Sequence, residues 1–257
     1  MPPPASLPRY HLLGTGISAV NLTTACGAVL AAIDAQRAGY VCTADVRAVD
    51  LAAEDPVFRA HLNGSLLTTP DGMPLVWLGR LLGHRSVDRV YGPDLMLALC
   101  AATAATGQTH FFYGGAPGVA PVLAAKLQQR FPGLRIVGTA TPPFRPLTVG
   151  EKAGLVTQVA AARPDLFWVG LGLPERERFM AEMLPRFAPT VMLGVGAAFD
   201  LLSGRVRQAP RWIQRSGFEW LFRLCLEPRR LAPRYFRHLP CFLFRVAAQL
   251  SGLRKYP

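Results

Sequence analysis

Within its 257 residues the chain has no Asp-x-Asp triplet, no GxSxG elbow, no HExxH pair and no GxxxxGK(S/T) loop. The first absence removes the usual carboxylate pair that holds a divalent ion on a diphosphate. The others remove the familiar serine-hydrolase, zinc-protease and P-loop chemistries. An ordered GxGxxG followed about 20 residues later by an acid is also missing, which counts against a nicotinamide dehydrogenase. The five histidines (His11, His61, His84, His110, His238) show no ligand spacing and are expected to be structural or exposed. Neither a metal nor a cofactor is expected. The five cysteines (Cys26, Cys42, Cys100, Cys225, Cys241) are odd in number and scattered, which predicts reduced, mostly buried thiols. No window offers the roughly 20 uninterrupted apolar residues of a membrane span. Met1–Tyr10 carries only Arg9 and lacks the pattern of a signal peptide, so a cytoplasmic address is expected.

Acidic residues are scarce, 16 against 28 Lys and Arg, and the imbalance is local. Arg205 to Pro257 holds eleven arginines and one lysine against Glu219 and Glu227, so ten of the twelve net positive charges lie there. A division follows between an α/β core, 1–204, and a basic aromatic appendage, 205–257. With 51% hydrophobic and 17% charged residues, disorder is excluded.

Short apolar runs rich in β-branched and aromatic residues alternate with longer helical stretches, which predicts an α/β fold: a Rossmann-like, mainly parallel sheet flanked by helices. Expected strands are Gly39–Thr43, Ser65–Thr69, His110–Tyr113, Arg135–Gly138, Leu166–Gly170 and Val191–Val195. Expected helices are Val20–Ala38, Arg47–Leu62, Met73–Leu82, Gly92–Ala105, Val119–Phe131, Gly150–Ala162 and Glu175–Phe187. In such sheets ligands bind beyond the carboxyl ends of the strands, where helix N-termini and free backbone N–H groups point. The loop Thr141–Pro146 is stiffened by its prolines and is a candidate edge of that site.

Asp45, Asp71 and Asp200 follow strand ends and are candidate acids or bases. Asp71, in Pro70-Asp71-Gly72, is the sharpest. Its carboxylate can take a proton from an attacking hydroxyl, or it can simply cap the helix that follows. The turns at Gly114-Gly115 and at Gly170-Leu171-Gly172 can present N–H groups to a diphosphate, or serve only as tight turns. In the tail, Gly217-Phe218-Glu219-Trp220-Leu221-Phe222-Arg223-Leu224 runs into Glu227-Pro228-Arg229-Arg230 and beyond, mixing arginine with large apolar residues. Three readings stay open: a bilayer-interface segment, a nucleic-acid surface, or a helical hairpin with solvated arginines.

These motifs, taken in order, resemble the WecG/TagA/CpsF glycosyltransferase family from about Gly39 to Arg237. The series is Thr43-Ala44-Asp45, Pro70-Asp71-Gly72, Arg89-Val90-Tyr91-Gly92-Pro93-Asp94-Leu95, Phe112-Tyr113-Gly114-Gly115, Val169 to Pro174 and Gly194 to Asp200. Its closest part is Arg207 to Trp212, Glu219 to Leu224 and Glu227 to Arg230. The resemblance implies an inverting, metal-independent transfer from a UDP-sugar (N-acetylmannosamine, its uronic acid or another hexose) to a polyprenyl-diphosphate-linked sugar. It also implies a peripheral protein on an anionic membrane surface, at the inner face of the cell membrane, and it leaves homo-oligomerisation open. On that pattern Asp71 is the base. Thr43, Asp45, Gly114, Gly115, Gly172, Arg176, Glu177 and Asp200 lie on the donor. Arg89, Arg223, Arg229 and Arg230 face the acceptor or its phosphates. Two departures stand out: Pro174-Glu175-Arg176-Glu177 replaces the family's Pro-Lys-Gln-Glu, and Asp45 replaces its Asn. A basic nucleic-acid-binding module is the alternative.

Overall fold

The computed structural model describes residues 7–256, excluding the side chains of Arg211, Arg215, Arg230 and Arg234. It opens with an antiparallel hairpin, β1 (Arg9–Leu12) and β2 (Thr15–Ser18), which the apolar pattern does not announce because each strand has only four residues. Then follow α1 (Leu22–Asp34), β3 (Gly39–Ala44), α2 (Val46–Glu54), α3 (Pro56–Asn63), β4 (Leu67–Pro70), α4 (Met73–Leu81) and α5 (Gly92–Thr103). The next elements are β5 (Thr109–Gly114), α6 (Val119–Arg130), β6 (Arg135–Ala140), α7 (Val149–Ala162), β7 (Leu166–Gly170), α8 (Glu175–Met183), β8 (Val191–Gly194) and α9 (Ala198–Ser203). The chain ends in α10 (Arg211–Ser216), α11 (Glu219–Leu226) and α12 (Pro228–Leu250).

The helix expected over Arg47–Leu62 is two helices. Asp55 accepts from the N–H groups of Val57 and Phe58, and Pro56 occupies the first turn of α3, so a new N-terminus interrupts the periodicity. All six strands of the main sheet are parallel, in the order β4-β3-β8-β7-β5-β6. Strand residues alternate between two cores as the two-residue period requires. Val41, Phe112, Trp168 and Leu193 face α1, α5, α6 and α9, whereas Cys42, Phe111, Phe167 and Met192 face α3, α7 and α8. A third cluster joins the hairpin, α2 and α4 to Phe242 and Val246 of α12.

Histidine and cysteine divide by position. His110 is buried between Thr103 and the Trp168 indole, which donates to Nδ1 at 3.0 Å, and burial pulls the imidazole down to about 4, so it stays neutral. Of the thiols only Cys42 and Cys100 are buried; Cys26 is half-buried, and Cys225 and Cys241 are exposed. The expectation of mostly buried cysteines fails because two of the five sit on the outer faces of the C-terminal helices. Among the described residues no helix is long and apolar enough to cross a membrane. α12 reaches 23 residues but carries Pro233, Pro240 and repeated arginines.

Candidate active site

The carboxyl ends of β3, β4 and β8 bring Asp45, Asp71 and the Gly194-Val195-Gly196 turn to the same end of the sheet. Parallel pairing sets Ala44 beside Pro70, so the residues that follow leave the sheet together, and the Asp71 N–H donates to Ala44 O at 2.8 Å. Thr43 Oγ1 donates to Gly194 O at 2.9 Å, which fixes the floor between β3 and β8.

Asp71 does not cap α4. The N-cap is Gly72, and no side chain satisfies that terminus. The carboxylate turns instead toward Arg89, whose Nη2 lies 3.5 Å from Asp71 Oδ1 and whose Nε donates to Asp71 O at 2.5 Å. A quarter of the Asp71 side chain remains open. Burial pushes its carboxyl up to about 6; Arg89 and Arg176 oppose that rise, while Asp45 and Glu219 add to it. A group of this strength is suited to taking a proton near neutral pH.

Arg89 is also gripped by the C-terminal helices. Its Nη1 pairs with Glu219 Oε2 at 2.7 Å and approaches Gln214 O at 3.4 Å, and its guanidinium lies 4.1 Å over the Tyr91 ring. Tyr91 donates its hydroxyl to Glu219 Oε1 at 2.7 Å. Arg223, on the same helix as Glu219, is half-buried within the electrostatic reach of Tyr91, Glu219 and Asp71. Arg229 is exposed near the start of α12, and the Arg230 side chain lies outside the described residues.

Beside the ends of β3 and β8, Arg176 and Glu177, at the start of α8, are both buried. Arg176 donates Nε to Glu177 Oε1 at 2.7 Å, pairs with the same oxygen through Nη2, and gives Nη2 to Thr43 O at 2.8 Å. Glu177 Oε2 has no hydrogen-bond partner among the described residues, and burial raises this carboxyl above its ordinary value against the pull of Arg176. Asp45 caps α2 through a 2.9 Å bond from Ala48 N and stands exposed at the rim.

The remaining candidates stand farther along the sheet. Gly114 and Gly115 end β5, where Gly115 N donates to Gly170 O at 3.1 Å. A Cβ on Gly114 would lie 2.6 Å from the Gly170 carbonyl carbon, so close strand approach requires glycine there. Gly172 is exposed with open space around it, and Asp200 is half-buried in the first turn of α9. Four inter-strand spacings separate β4 from β5, about 19 Å. The loop Thr141–Pro146 follows β6, at the sheet edge opposite β4, and its residues Thr141 to Pro143 share a pocket with Pro117 and Gly118 after β5. Tyr91 and Glu219 carry no site role in the sequence pattern. The available signal was Glu219 itself, one of two acids among twelve basic residues in the tail.

The model of the glycosyl transferase WecG/TagA/CpsF family matches residues 10–256. The chain belongs to this family. It is a glycosyltransferase, and this sets aside the nucleic-acid module as the primary reading. Among curated relatives it is similar to the N-acetylglucosaminyldiphosphoundecaprenol N-acetyl-beta-D-mannosaminyltransferases of Bacillus spizizenii (29% identical) and Bacillus subtilis (30% identical). Each comparison spans 198 residues, 77% of this chain and 75% of the relative.

Proposed function

We propose that this glycosyltransferase moves N-acetylmannosamine, or a closely related sugar, from a UDP donor to a polyprenyl-diphosphate-linked sugar, with inversion and without a metal. The support comes from the relatives' names for donor sugar and acceptor, and from one observation in this chain: Asp71 is partly open, has a raised pKa and sits beside Arg89 at the strand ends. The donor lies across the sheet with its diphosphate toward the glycine turns. The acceptor hydroxyl attacks the anomeric carbon and gives its proton to the Asp71 carboxylate. The bond from that carbon to the diphosphate oxygen breaks, and UDP departs. One in-line displacement inverts the centre. Arginines and backbone N–H groups meet the charge that develops on the leaving diphosphate, as preorganised donors do in a site screened from water.

The C-terminal helices supply the membrane contact in this reading. Trp212, Phe218, Leu221, Leu226, Phe236, Leu243 and Phe244 are exposed on α10 to α12 and the turns between them, among arginines, a composition suited to an anionic bilayer interface. The acceptor diphosphate then arrives beside Arg89 and Arg223, and Arg229 faces the headgroup region.

The deciding experiment measures transfer from UDP-N-acetylmannosamine to N-acetylglucosamine on a polyprenyl diphosphate in anionic vesicles. Asp71→Asn should lower kcat by about 100-fold or more. Wild-type rates in that variant would overturn the base assignment, and an unchanged rate after chelator treatment is expected of the native protein.

A further inference from the structure

Glu219 comes from the C-terminal helices, yet both its carboxylate oxygens are engaged by the core. Oε1 accepts from the Tyr91 hydroxyl at 2.7 Å, and Oε2 pairs with Arg89 Nη1 at 2.7 Å. It is buried, in the first turn of α11, where the helix dipole favours a negative charge. Arg89 therefore has two carboxylate neighbours at unequal range, Glu219 at 2.7 Å and Asp71 at 3.5 Å. The Tyr91 ring lies against one face of the guanidinium, and Asp71 O accepts from Nε.

We propose that Glu219 is a positioning residue for the transfer: by holding the Arg89 guanidinium toward α11 it keeps the Asp71 carboxylate out of a close ion pair and free to accept the acceptor's proton. Docking of α11 then arms the base. With Glu219 absent, the guanidinium is free to close on Asp71, and a carboxylate so paired holds its electrons too tightly to be an effective base. The charged groups that face Asp71 are Arg89, Glu219 and Arg223 on α11, Asp45 at the end of β3, and Arg176 on α8. Removal of Glu219 deletes one of the two negative neighbours and strengthens the nearest positive one, so both changes act in the same direction. This inference rests on the reading of Asp71 as the base.

The test is the pH dependence of kcat for the full chain with vesicle-borne acceptor, comparing wild type, Glu219→Gln, Tyr91→Phe and Asp71→Asn. In Glu219→Gln the acid limb should move to lower pH by roughly one unit and the plateau should fall about 10-fold, with the donor KM changed far less. Tyr91→Phe leaves the carboxylate in place but removes one of its two anchors, and should move the limb the same way by a smaller amount. Acid limbs that coincide with wild type in both variants, or a rise in KM alone, would overturn the proposal. If Glu219→Gln does not fold, an unmoved limb in Tyr91→Phe overturns it by itself. Asp71→Asn separates the two claims: full activity there removes the base assignment. Loss there together with unmoved limbs in the other two removes only the role of Glu219.

Discussion

Arg89 donates Nε to the backbone oxygen of Asp71 at 2.5 Å while its terminal nitrogen stays 3.5 Å from the carboxylate of the same residue. The arginine thus fixes where Asp71 is without fully neutralising it. The pKa of about 6 is the consequence: burial raises it more than the incompletely paired arginine lowers it.

That balance has a stability signature. A carboxyl whose folded pKa lies above its unfolded value contributes stability that is complete below the unfolded value, near 3.8, and lost as pH rises through about 6. At pH 7.5 Asp71→Asn should therefore be more stable than wild type by about 3 kcal/mol, a gain that fades toward pH 4. Thermal unfolding of both proteins from pH 4 to 8 measures it, and a variant less stable than wild type at pH 7.5 would contradict the sign.

Arg176 and Glu177 form a buried pair at the start of α8. Arg176→Met leaves the Glu177 carboxylate buried without its cation and should cost about 3–5 kcal/mol in denaturant unfolding. Arg176→Met combined with Glu177→Leu should recover most of that loss, because the unpaired charge is gone. Equal destabilisation in the single and double variants would show that packing, not charge, dominates here.

Packing of α9 on β7 makes the glycines unequal. A Cβ on Gly170 would meet the Phe199 ring at 2.5 Å, whereas one on Gly172 meets nothing within 4 Å. Gly170→Ala should destabilise by about 1–3 kcal/mol through overpacking. Gly172→Ala should change stability by less than about 0.5 kcal/mol. Differential scanning calorimetry of the two variants checks the contrast.

Beside the apolar contacts of Phe242 and Val246, a buried carboxylate ties the long helix α12 to α2. Asp50 Oδ1 accepts from Arg245 Nη1 at 2.8 Å, its Oδ2 meets His238 Nδ1 at 2.7 Å, and Arg245 also pairs with Glu54. Asp50→Ala should loosen α12, seen as at least 10-fold faster amide exchange over residues 228–250, with exchange in β7 and β8 unchanged. Uniform acceleration across the sheet would mean that the variant destabilises the whole fold.

Much of the fold is legible in the residues. The six parallel strands follow from apolar runs such as Leu166–Gly170, whose continuous hydrophobicity reflects burial on both faces. The hairpin was not legible, because four-residue strands carry too little periodicity. The break between α2 and α3 was marked by Asp55-Pro56 but outweighed by the apolar pattern on either side. For the site, the Pro70-Asp71-Gly72 turn marked Asp71 as a candidate, but a cap and a base look alike in sequence. Only the position of Arg89, 18 residues later, separates them.

By itself the sequence determined the local chemistry: a parallel α/β sheet, an acid and several glycines at strand ends, and a C-terminal segment in which arginine alternates with aromatic residues. These follow from periodicity, backbone stereochemistry and charge, which act over a few residues. Tertiary structure alone decided that Glu219 meets Arg89 and Tyr91 beside Asp71, because that meeting depends on how α11 docks against the segment between α4 and α5. Electrostatic strength depends on burial and on distances between residues as far apart as 71 and 219, and neither quantity exists until the chain has folded.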